Sequence, residues 1–588
     1  MGLLKKKDKD TSSKMKSRLS GGGGGGGSQI SSLRPRYVES LPPCTGNCPS
    51  GNDIRGWLTV ISLREKLGLS LDEACEKAWR IEMETNPFPS VMGRVCPHPC
   101  EVGCNRGSKD GPVGINSVER FIGDFAIEHG LKAEPVEGES AKDKKIAVIG
   151  GGPSGLSCAY QLARRGYKVT VFESLPKAGG MLRYGIPVYR LPREILDAEI
   201  QRIVDLGVEL KCDTKIGRDV SWDDIRKGYD AIYVAIGAHQ GKNLGIPGEE
   251  GPGIWTGTEF LNHANSGKKV EIGGKVVVIG GGDTAIDAAR VSKRVSADAS
   301  KRVSADAAGL ASRMGADVTI LYRRTRTEMP AIEREIEEAI EEDINIEFLA
   351  APHEILRDDE GKVRAMVVQR MELGEPDSSG RRRPVPIEGD TYEIEVDTVI
   401  TAVSQKPDLA AIHSEELGDG WLNGDEWGFT GTEGIWTGGD NINLGIATTS
   451  IGQARKAALA IHAYLEGKQP HEEDHGPMIR SDKIKLDWYQ PEERKQRRVK
   501  EPQERLANPF DEVDLGLSDE DALVETSRCF SCGKCFGCEN CWMYCQNNVF
   551  AKATPPQHGY FFKIAKMEMC DGCKKCWEEC PCGFIVGE

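Results

Sequence analysis

The stretch that decides the fold is Lys145-Ile146-Ala147-Val148-Ile149, followed at once by Gly150-Gly151-Gly152-Pro153-Ser154-Gly155. A short apolar strand that ends in G-x-G-x-x-G and continues into a helix is typical of a dinucleotide-binding unit. Gly150 permits the tight turn, Gly152 lets the backbone approach a pyrophosphate, and Gly155 lets helix and strand pack closely. The next apolar strand ends in Glu173, which is placed to accept a hydrogen bond from a ribose hydroxyl. A glycine turn without function would not need strand, helix and acid together.

A second stretch of the same kind lies downstream. Val276-Val277-Val278-Ile279 precedes Gly280-Gly281-Gly282-Asp283-Thr284-Ala285, in which alanine takes the third position of the fingerprint. The next strand, residues 318–321, ends in Tyr322-Arg323-Arg324 instead of an acid. Two guanidinium groups at this place favour a 2′-phosphate, and therefore NADP(H) over NAD(H). The alternative is that both arginines are solvated surface charges.

The sequence around these two motifs divides into regions of different character. Residues 1–28 include seven consecutive glycines, which predict a disordered tail. Helical patterns dominate residues 29–140, whereas strands and helices alternate over residues 141–467. We therefore predict the α/β class, with a parallel sheet covered by helices and a helical N-terminal domain. Residues 468–525 are charged and too poor in apolar positions for a core, so we predict a surface linker there.

Composition argues against several classes of protein. The formal charge of −15 and an isoelectric point near 5.4 argue against nucleic-acid binding, which requires clustered Lys and Arg. No apolar run reaches the roughly 18 residues of a membrane-spanning helix, and the N-terminus lacks an apolar signal core. We therefore expect a cytoplasmic protein without a membrane span, whose partners are proteins and small molecules.

Most of the 19 cysteines are bunched into three short stretches, which indicates metal binding more than disulfides. The last stretch, in a module at residues 526–588, contains two runs with the spacing of two-cluster bacterial ferredoxins, in which the fourth cysteine of each run crosses to the other cluster. This spacing predicts one [4Fe-4S] cluster on Cys535, Cys538, Cys541 and Cys580, and another on Cys570, Cys573, Cys576 and Cys545. For a zinc ribbon, eight ligands at this spacing would be a coincidence. Cys529, Cys532 and Cys582 are left without an assignment.

The two dinucleotide units, with the second inserted into the first, resemble the two-dinucleotide-binding flavoprotein superfamily. The resemblance implies FAD on an outer domain at residues 141–267 and 397–467, and NAD(P) on an inner domain at residues 268–396. Residues 179–187 resemble the flavin-contacting stretch of the glutamate synthase small-subunit family. Further resemblances concern Gly439-Asp440, similar to the ribitol-binding site, and Thr448-Thr449, similar to the closing helix N-terminus by the flavin. Together these imply flavin contacts from Gly180, Met181, Leu182, Gly185, Ile186, Gly439, Asp440, Thr448 and Thr449.

The N-terminal cysteines, Cys44-x3-Cys48 and Cys96-x3-Cys100-x3-Cys104, resemble the N-terminal domain of the same family. Two clusters are held there by a longer cysteine series, but the two earliest cysteines are missing here and Met92 replaces another. We therefore expect one [4Fe-4S] cluster, and three in the whole chain. The expected ligands are Cys48, Cys96 and Cys100, with a fourth from Cys44, Cys104 or Glu119, because relatives use a carboxylate or amide near Glu119. Zinc is the alternative, although its usual CxxC pairs are absent.

The function follows from what the flavin can react with. Many members of the superfamily reduce a redox-active disulfide, but no cysteine lies between Cys212 and Cys529. The resemblance therefore implies an NAD(P)H oxidoreductase that passes electrons between NAD(P)H, FAD and the clusters, to or from a protein partner. Similar chains accompany dissimilatory sulfite reductase or 2-oxoacid:ferredoxin oxidoreductases, so we expect an oligomer or a hetero-complex. Two alternatives remain: a glutamate synthase small subunit, and a relay or assembly subunit whose nucleotide site is idle.

Overall fold

The computed structural model describes residues 31–304, 316–378, 380–409, 412, 420–472 and 476–588, without the side chains of residues 297–304. The tail predicted at residues 1–28 lies outside these ranges. Among the helices of the described ranges, none combines the length and the apolar character needed to cross a membrane.

The first dinucleotide motif lies in a parallel sheet of five strands. Their order across the sheet is Ile435–Thr437, Ala231–Val234, Lys145–Ile149, Lys168–Phe172 and Glu209–Lys211. Alternate residues of the central strand face two separate cores, one shared with Leu156 and the other with Trp222, so both faces are covered. The helices of this domain are Pro153–Ala163, Met181–Tyr184, Arg193–Val204, Trp222–Gly228 and Ala447–Leu465.

The second motif lies in another parallel sheet of five strands. Their order is Asn345–Phe348, Asp317–Tyr322, Lys275–Ile279, Thr398–Thr401 and Ile254–Thr256. The helices beside it are Gly257–Asn265, Asp283–Ser304 and Glu333–Glu341.

The limits predicted for the second domain, residues 268–396, are therefore too narrow. Ile400 pairs with both Val278 and Trp255, so strands on either side of the predicted limits belong to the second sheet. Strand partners, which decide domain membership, are not visible in the linear order of the sequence. The two connections between the domains run side by side, since Gln240–Gly241 pairs with Gln405–Lys406.

An antiparallel sheet covers one face of the second domain and was not predicted. Its three strands are Ala350–Arg357, Val363–Pro376 and Arg382–Glu395. Met366 and Val368 of the middle strand pack in one core with Val277 and Ile279 of the parallel sheet. The insertion therefore supplies the apolar cover that this face of the sheet requires.

The N-terminal region is helical. Its helices are Pro43–Asn47, Ile54–Ser62, Arg64–Leu67, Leu71–Met83, Pro89–Val95, Pro99–Val102 and Ile115–Glu128. The Asp53 side chain accepts from the Gly56 N–H and caps the second of these helices, while Ser70 and Glu73 form a capping box on the fourth. This domain and the first sheet share one continuous core, in which helix Ala447–Leu465 packs against both.

Residues 468–472 and 476–525 form a packed strap and not only a linker. Within the strap, Arg498–Val499 pairs with Asp514–Gly516, and the helices are Pro502–Ala507 and Asp519–Ser527. Asp514 forms ion pairs with Arg497, Arg120 of the N-terminal domain and Arg334 of the second dinucleotide domain. Burial alone would raise the pKa of Asp514, but the three arginines outweigh it and hold the pKa well below its usual range. The charges that made this region resemble a solvated linker are instead paired across an interface.

The C-terminal module joins the N-terminal region. Strands Phe550–Gln557 and Tyr560–Ile564 form its hairpin, and Asn540–Met543 and Lys575–Glu578 are its short helices. Its last strand, Ile585–Gly587, pairs antiparallel with Pro35–Tyr37. The module is therefore built from both end regions of the described chain.

Candidate functional site

A cleft opens at the carboxyl ends of the first sheet, where ligands bind in open α/β sheets. Seven of the residues predicted to bind FAD line it: Gly150, Gly152, Glu173, Gly180, Met181, Gly439 and Asp440. Sequence reasoning missed His239 and Asn262, which also line the cleft. They carry no motif of their own, and only the fold brings them to this edge of the sheet.

The glycines of the two fingerprints occupy equivalent positions. Gly150 has φ +109° and Gly280 has φ +146°, values that disfavour any other residue. A Cβ atom at Gly150 would overlap the carbonyl oxygen of Ala235, and one at Gly280 would overlap that of Ala402. In each domain the loop therefore passes directly over the end of a neighbouring strand, which leaves its backbone free to approach a ligand. Gly155 also has a steric reason, since a Cβ atom there would overlap the Gly150 carbonyl.

Glu173 is held at the end of its strand by backbone donors. The Gly151 N–H donates to its Oε2 at 2.8 Å, and the Leu175 N–H donates to its Oε1 at 2.8 Å. Burial raises the pKa of Glu173 against the lowering effect of these donors. The carboxylate thus fixes the glycine loop and lies in the cleft, as a ribose-binding acid must.

The stretch Gly179–Ile186 divides into residues that reach the cleft and residues that support them. Gly180, with φ +52°, approaches the backbone of Gly152, so two glycines of different motifs meet at the cleft. Leu182 and Ile186 pack in or against the hydrophobic core. The carbonyl of Gly185 accepts from the Asn265 side chain at 3.3 Å, which ties this stretch to the second domain. Among these predicted contacts, Leu182, Gly185 and Ile186 are placed as supports and not as cleft-lining residues.

The flavin end of the cleft touches the N-terminal domain. Thr448, predicted together with Thr449 at the helix N-terminus, lies with its Oγ1 3.6 Å from the Cys96 Sγ. Asp440 is mostly buried, and burial raises its pKa to about 6. The Gly445 N–H donates to the Asp440 Oδ1 at 3.2 Å. The predicted flavin residues therefore stand directly beside a predicted cluster ligand.

The two arginines predicted to select NADP(H) point to different surroundings. Arg323 is exposed just beyond its strand. Arg324 is buried, and its guanidinium donates to Asp377 at 2.6 Å and to the carbonyl of Arg382 at 2.7 Å. A buried arginine engaged with a carboxylate does not fit a phosphate-binding role, so the prediction for Arg324 is wrong on geometry. Gly282 and Ala285 remain at the start of their helix as the fingerprint requires.

The five N-terminal cysteines separate into two groups. Cys48, Cys96 and Cys100 lie together with Glu119, whereas Cys44 and Cys104 lie elsewhere. Burial, followed by the neighbouring Glu119 carboxylate, raises the pKa of Cys96 to about 12. Of the three candidates for a fourth ligand, Glu119 is the one that the structure places beside the three cysteines.

Glu119 is half-buried between polar side chains. The Asn86 Nδ2 donates to its Oε1 at 3.1 Å, and the Asn116 Nδ2 donates to its Oε2 at 3.4 Å. Burial raises the pKa of Glu119 to about 7 in spite of these donors. A cation at this place would stabilise both the carboxylate and the neighbouring thiolates, because it offsets the cost of burying their charge.

Cys44 and Cys104 line a different cavity with Cys529 and Cys532. The remaining walls of this cavity are mostly apolar and include Pro42, Leu58, Val113, Ile115 and Phe530. Two cysteines that the sequence left unassigned thus meet two that had been placed with the N-terminal cluster. Only the fold brings them together, since more than 400 residues separate the two pairs.

The ferredoxin-like runs surround two further cavities. One is lined by Cys535, Cys538, Cys541 and Cys580, and the other by Cys545, Cys570, Cys573 and Cys576. Tyr37 lies close to both sets and donates to the carbonyl of Phe562 at 2.9 Å. The third unassigned cysteine, Cys582, lies with its sulfur 3.9 Å from that of Cys580. Within the described ranges, no three His, Cys, Asp or Glu side chains converge closely enough for one metal ion.

Comparison with known proteins identifies the family. A family model described as pyridine nucleotide-disulphide oxidoreductase matches residues 144–467, which is more than half of the chain. The chain belongs to this family. A second model, described as dihydropyrimidine dehydrogenase domain II with a 4Fe-4S cluster, matches residues 38–131. The chain is thus an oxidoreductase of α/β fold with an FAD/NAD(P)-binding domain and an N-terminal iron-sulfur domain.

Three curated relatives cover most of the chain. NADPH-Fe(3+) oxidoreductase subunit beta of Geobacter sulfurreducens is 36% identical over 84% of this chain and 76% of that protein. NADP(+)-dependent formate dehydrogenase subunit beta of Moorella thermoacetica is 36% identical over 83% of this chain and 70% of that protein. Glutamate synthase (NADPH) small chain of Escherichia coli is 35% identical over 72% of this chain and 89% of that protein.

Proposed function

We propose that the chain is the NADPH-linked subunit of a cytoplasmic electron-transfer complex, in which FAD and three [4Fe-4S] clusters connect the nucleotide to a protein partner. The observation that carries this proposal is the contact between Thr448 and Cys96 at 3.6 Å. The proposed flavin-binding helix and the proposed cluster ligand are in contact, so the distance for electron transfer between the two cofactors would be short. The relatives are named as subunits, which supports a partner protein.

The residues of the first cleft fit FAD. Gly150 and Gly152 would leave room for the pyrophosphate, Glu173 would accept from a ribose hydroxyl, and Asp440 would bind the ribitol chain. When bound, FAD supplies two-electron exchange with a nicotinamide and one-electron exchange with iron-sulfur clusters. The protein would hold the reacting groups in position.

The glycine loop of the second domain is proposed to bind NADPH. Gly280 and Gly282 open the helix N-terminus to a pyrophosphate, and Arg323 is free to reach a 2′-phosphate from the end of its strand. Three relatives carry NADPH or NADP in their names, which supports the same choice.

Three cysteine sets are proposed to hold the clusters that the sequence predicts. They are Cys48, Cys96 and Cys100 with Glu119; Cys535, Cys538, Cys541 and Cys580; and Cys545, Cys570, Cys573 and Cys576. Each set is lodged among buried or half-buried residues, as cluster ligands are. The position of the last two sets in the C-terminal module makes it the proposed docking end for the partner.

The identity of the partner is not fixed by the fold. The relatives named above are named for different reactions, so a ferredoxin, a sulfite reductase and a 2-oxoacid oxidoreductase all remain candidates. A glutamate synthase small subunit is the second candidate function, supported by 35% identity to that chain. A relay subunit with an idle nucleotide site is the third.

Anaerobic titration of the purified protein tests the proposal. NADPH should bleach the flavin absorbance and then reduce the clusters, with NADH less effective. Purification from the native host should recover a protein partner that accepts these electrons. Copurification of a large amidotransferase subunit would support the glutamate synthase alternative. Flavin that neither nucleotide bleaches would support the idle-site alternative and refute the proposal.

A further inference from the structure

Four cysteines from two distant parts of the sequence surround one cavity. Cys44 and Cys104 come from the N-terminal domain, and Cys529 and Cys532 come from the segment that precedes the ferredoxin-like runs. Cys44 is buried and Cys529 and Cys532 are half-buried, and burial raises the pKa values of Cys529 and Cys532 to about 12. The neighbouring Cys104 raises the pKa of each of these three thiols further, so the four side chains lie close to one another around the cavity.

The backbone around these thiols is held in place from both sides. The Arg55 Nη1 donates to the carbonyls of Ser40 and Cys532 at 2.8 and 2.7 Å. The Arg106 Nη1 donates to the carbonyl of Arg528 at 2.5 Å, and its guanidinium lies 5.0 Å from the centre of the Phe530 ring. Both arginines belong to the N-terminal domain and bind the C-terminal segment. The two halves of the site are therefore fixed relative to one another before any ligand is considered.

Nitrogen donors point at the sulfur atoms. The Ser531 N–H donates to the Cys529 Sγ at 3.4 Å, and the Asn105 Nδ2 donates to the Cys532 Sγ at 3.5 Å. N–H groups directed at sulfur are a common feature of iron-sulfur sites, where they set the cluster potential. Buried neutral thiols would gain little from such donors, whereas metal-bound thiolates would.

We propose that Cys44, Cys104, Cys529 and Cys532 hold a fourth [4Fe-4S] cluster that joins the N-terminal domain to the C-terminal segment. Four cysteines form a complete ligand set for such a cluster. A single zinc ion would draw the four sulfurs to about 2.3 Å from one point, whereas here they line the walls of a cavity. The iron-bound thiolates would also be relieved of the cost that burial imposes on free thiolates.

This site lies between two of the other proposed cluster sites, which suits it to pass electrons from one to the other. Cys44 lies four residues from Cys48, and Cys532 lies three residues from Cys535, so each neighbouring set is one short step along the chain. Tyr489 packs between the Cys529–Cys532 segment and Cys582, and its hydroxyl donates to the carbonyl of Phe530 at 2.8 Å. If the proposed function holds, electrons would pass from the flavin through four sites in series. The cluster itself does not depend on that function.

Metal analysis of the anaerobically purified full-length protein tests the proposal directly. Four cluster sites predict about sixteen irons and sixteen sulfides per FAD, whereas three predict about twelve. About twelve irons, with or without one zinc ion, would overturn the proposal. So would mass-spectrometric detection of a disulfide between Cys529 and Cys532 in the native protein. This count does not require any variant to fold, nor NADPH oxidation to occur.

Paired variants test whether the two halves form one site. C104A alone and C532A alone should each lose up to about four irons, and the double variant should lose no more than about four. A loss of one iron in a single variant, with the paramagnetic signal of an oxidised three-iron cluster, would also support the site. A loss of about eight irons in the double variant would show two separate clusters and overturn the proposal. C75A, which removes another buried cysteine, is the matched control and should retain all iron and FAD.

Discussion

The two dinucleotide-binding domains share one loop geometry but differ in what stands beyond it. In both, a glycine of positive φ crosses the carbonyl at the end of a neighbouring strand: Gly150 over Ala235 and Gly280 over Ala402. In the first domain the next strand ends in a buried acid, Glu173, which binds the glycine loop itself. In the second it ends in the exposed Arg323. We propose that the shared part provides room for a pyrophosphate and that the divergent part decides which ribose is accepted.

Alanine at the two equivalent glycines should separate the two sites most strongly. We expect G150A to lose FAD altogether, because the added Cβ overlaps the Ala235 carbonyl and closes the cleft. We expect G280A to keep FAD, while NADPH no longer bleaches it although dithionite still does. Flavin absorbance and anaerobic titration measure both results. G207A is the control, because Gly207 has φ +92° but open space around it. Equal FAD loss in G150A and G280A would contradict the assignment of the two domains.

Of the two dinucleotide-binding domains, the second is the one that Asp514 of the strap contacts. Loss of the Asp514 carboxylate should give the next largest effect. D514N leaves three arginines without their carboxylate, and breaking a buried pair costs about 3–5 kcal/mol. We expect a lower midpoint of urea unfolding. Because the pKa of Asp514 is held below its usual value, this contribution is fully present above about pH 3.8 and is lost only as the pH falls below it.

The loss of stability in D514N should therefore be the same at pH 6 and pH 9. D511N, which removes an exposed carboxylate of the same strap, is the matched control and should change the midpoint little. A difference between wild type and D514N that grows over this pH range would show that Asp514 titrates there.

The arginines of the second domain should give effects of different kinds. R323Q should raise the KM for NADPH about tenfold to a hundredfold and leave that for NADH unchanged, because a charge-assisted hydrogen bond contributes about 1.5–3 kcal/mol. R324Q should leave both KM values near wild type but lower the stability, since the ion pair between Arg324 and Asp377 is lost. Steady-state kinetics with a dye acceptor and thermal unfolding distinguish the two. A raised NADPH KM in R324Q alone would restore the role that the geometry denies it.

The acid of the first domain should give the smallest effect. E173Q should weaken FAD binding about tenfold, because an amide accepts more weakly than a carboxylate from the Gly151 N–H and from a ribose hydroxyl. Equilibrium dialysis of the flavin measures this change. E209Q, at an exposed strand end in the same sheet, should bind FAD as the wild type does.

Local motifs were predictable because the residues that form each motif are adjacent in the sequence. The glycine loops need only a strand before and a helix after. The sequence was therefore sufficient to place Gly150 and Gly280 in tight turns and Glu173 at the end of a strand. The limits of the second domain were wrong because Thr398–Thr401 belongs to the sheet of its partner strand, Lys275–Ile279. Arg323 and Arg324 are adjacent in the sequence and were predicted to act together. Arg324 instead binds Asp377, which lies far along the chain.

The cysteine sites also show that contacts between residues distant in the sequence could not be predicted. The ferredoxin-like spacing is local, and the structure gathers those eight cysteines into two sets around two cavities. Cys529 and Cys532 had no local partners, and only the packing of two ends of the chain places them beside Cys44 and Cys104. The strap was interpreted as a linker for a related reason. Its charges pair with residues that the sequence cannot show to be near.

The pairing of strand Pro35–Tyr37 with Ile585–Gly587 has a consequence for how the protein is made in the cell. Arg36 and Glu588, which bind each other beside this pair, are 552 positions apart, so during synthesis the first strand emerges from the ribosome long before its partner exists. The nucleotide-binding sheets can form in the meantime, because their strands lie closer together in sequence. Contacts of such long range are also the slowest to form. Until strand Ile585–Gly587 has been synthesised, the early cysteines therefore wait in a half-assembled state, which exposes them to oxidation and gives iron-delivery factors time to reach them.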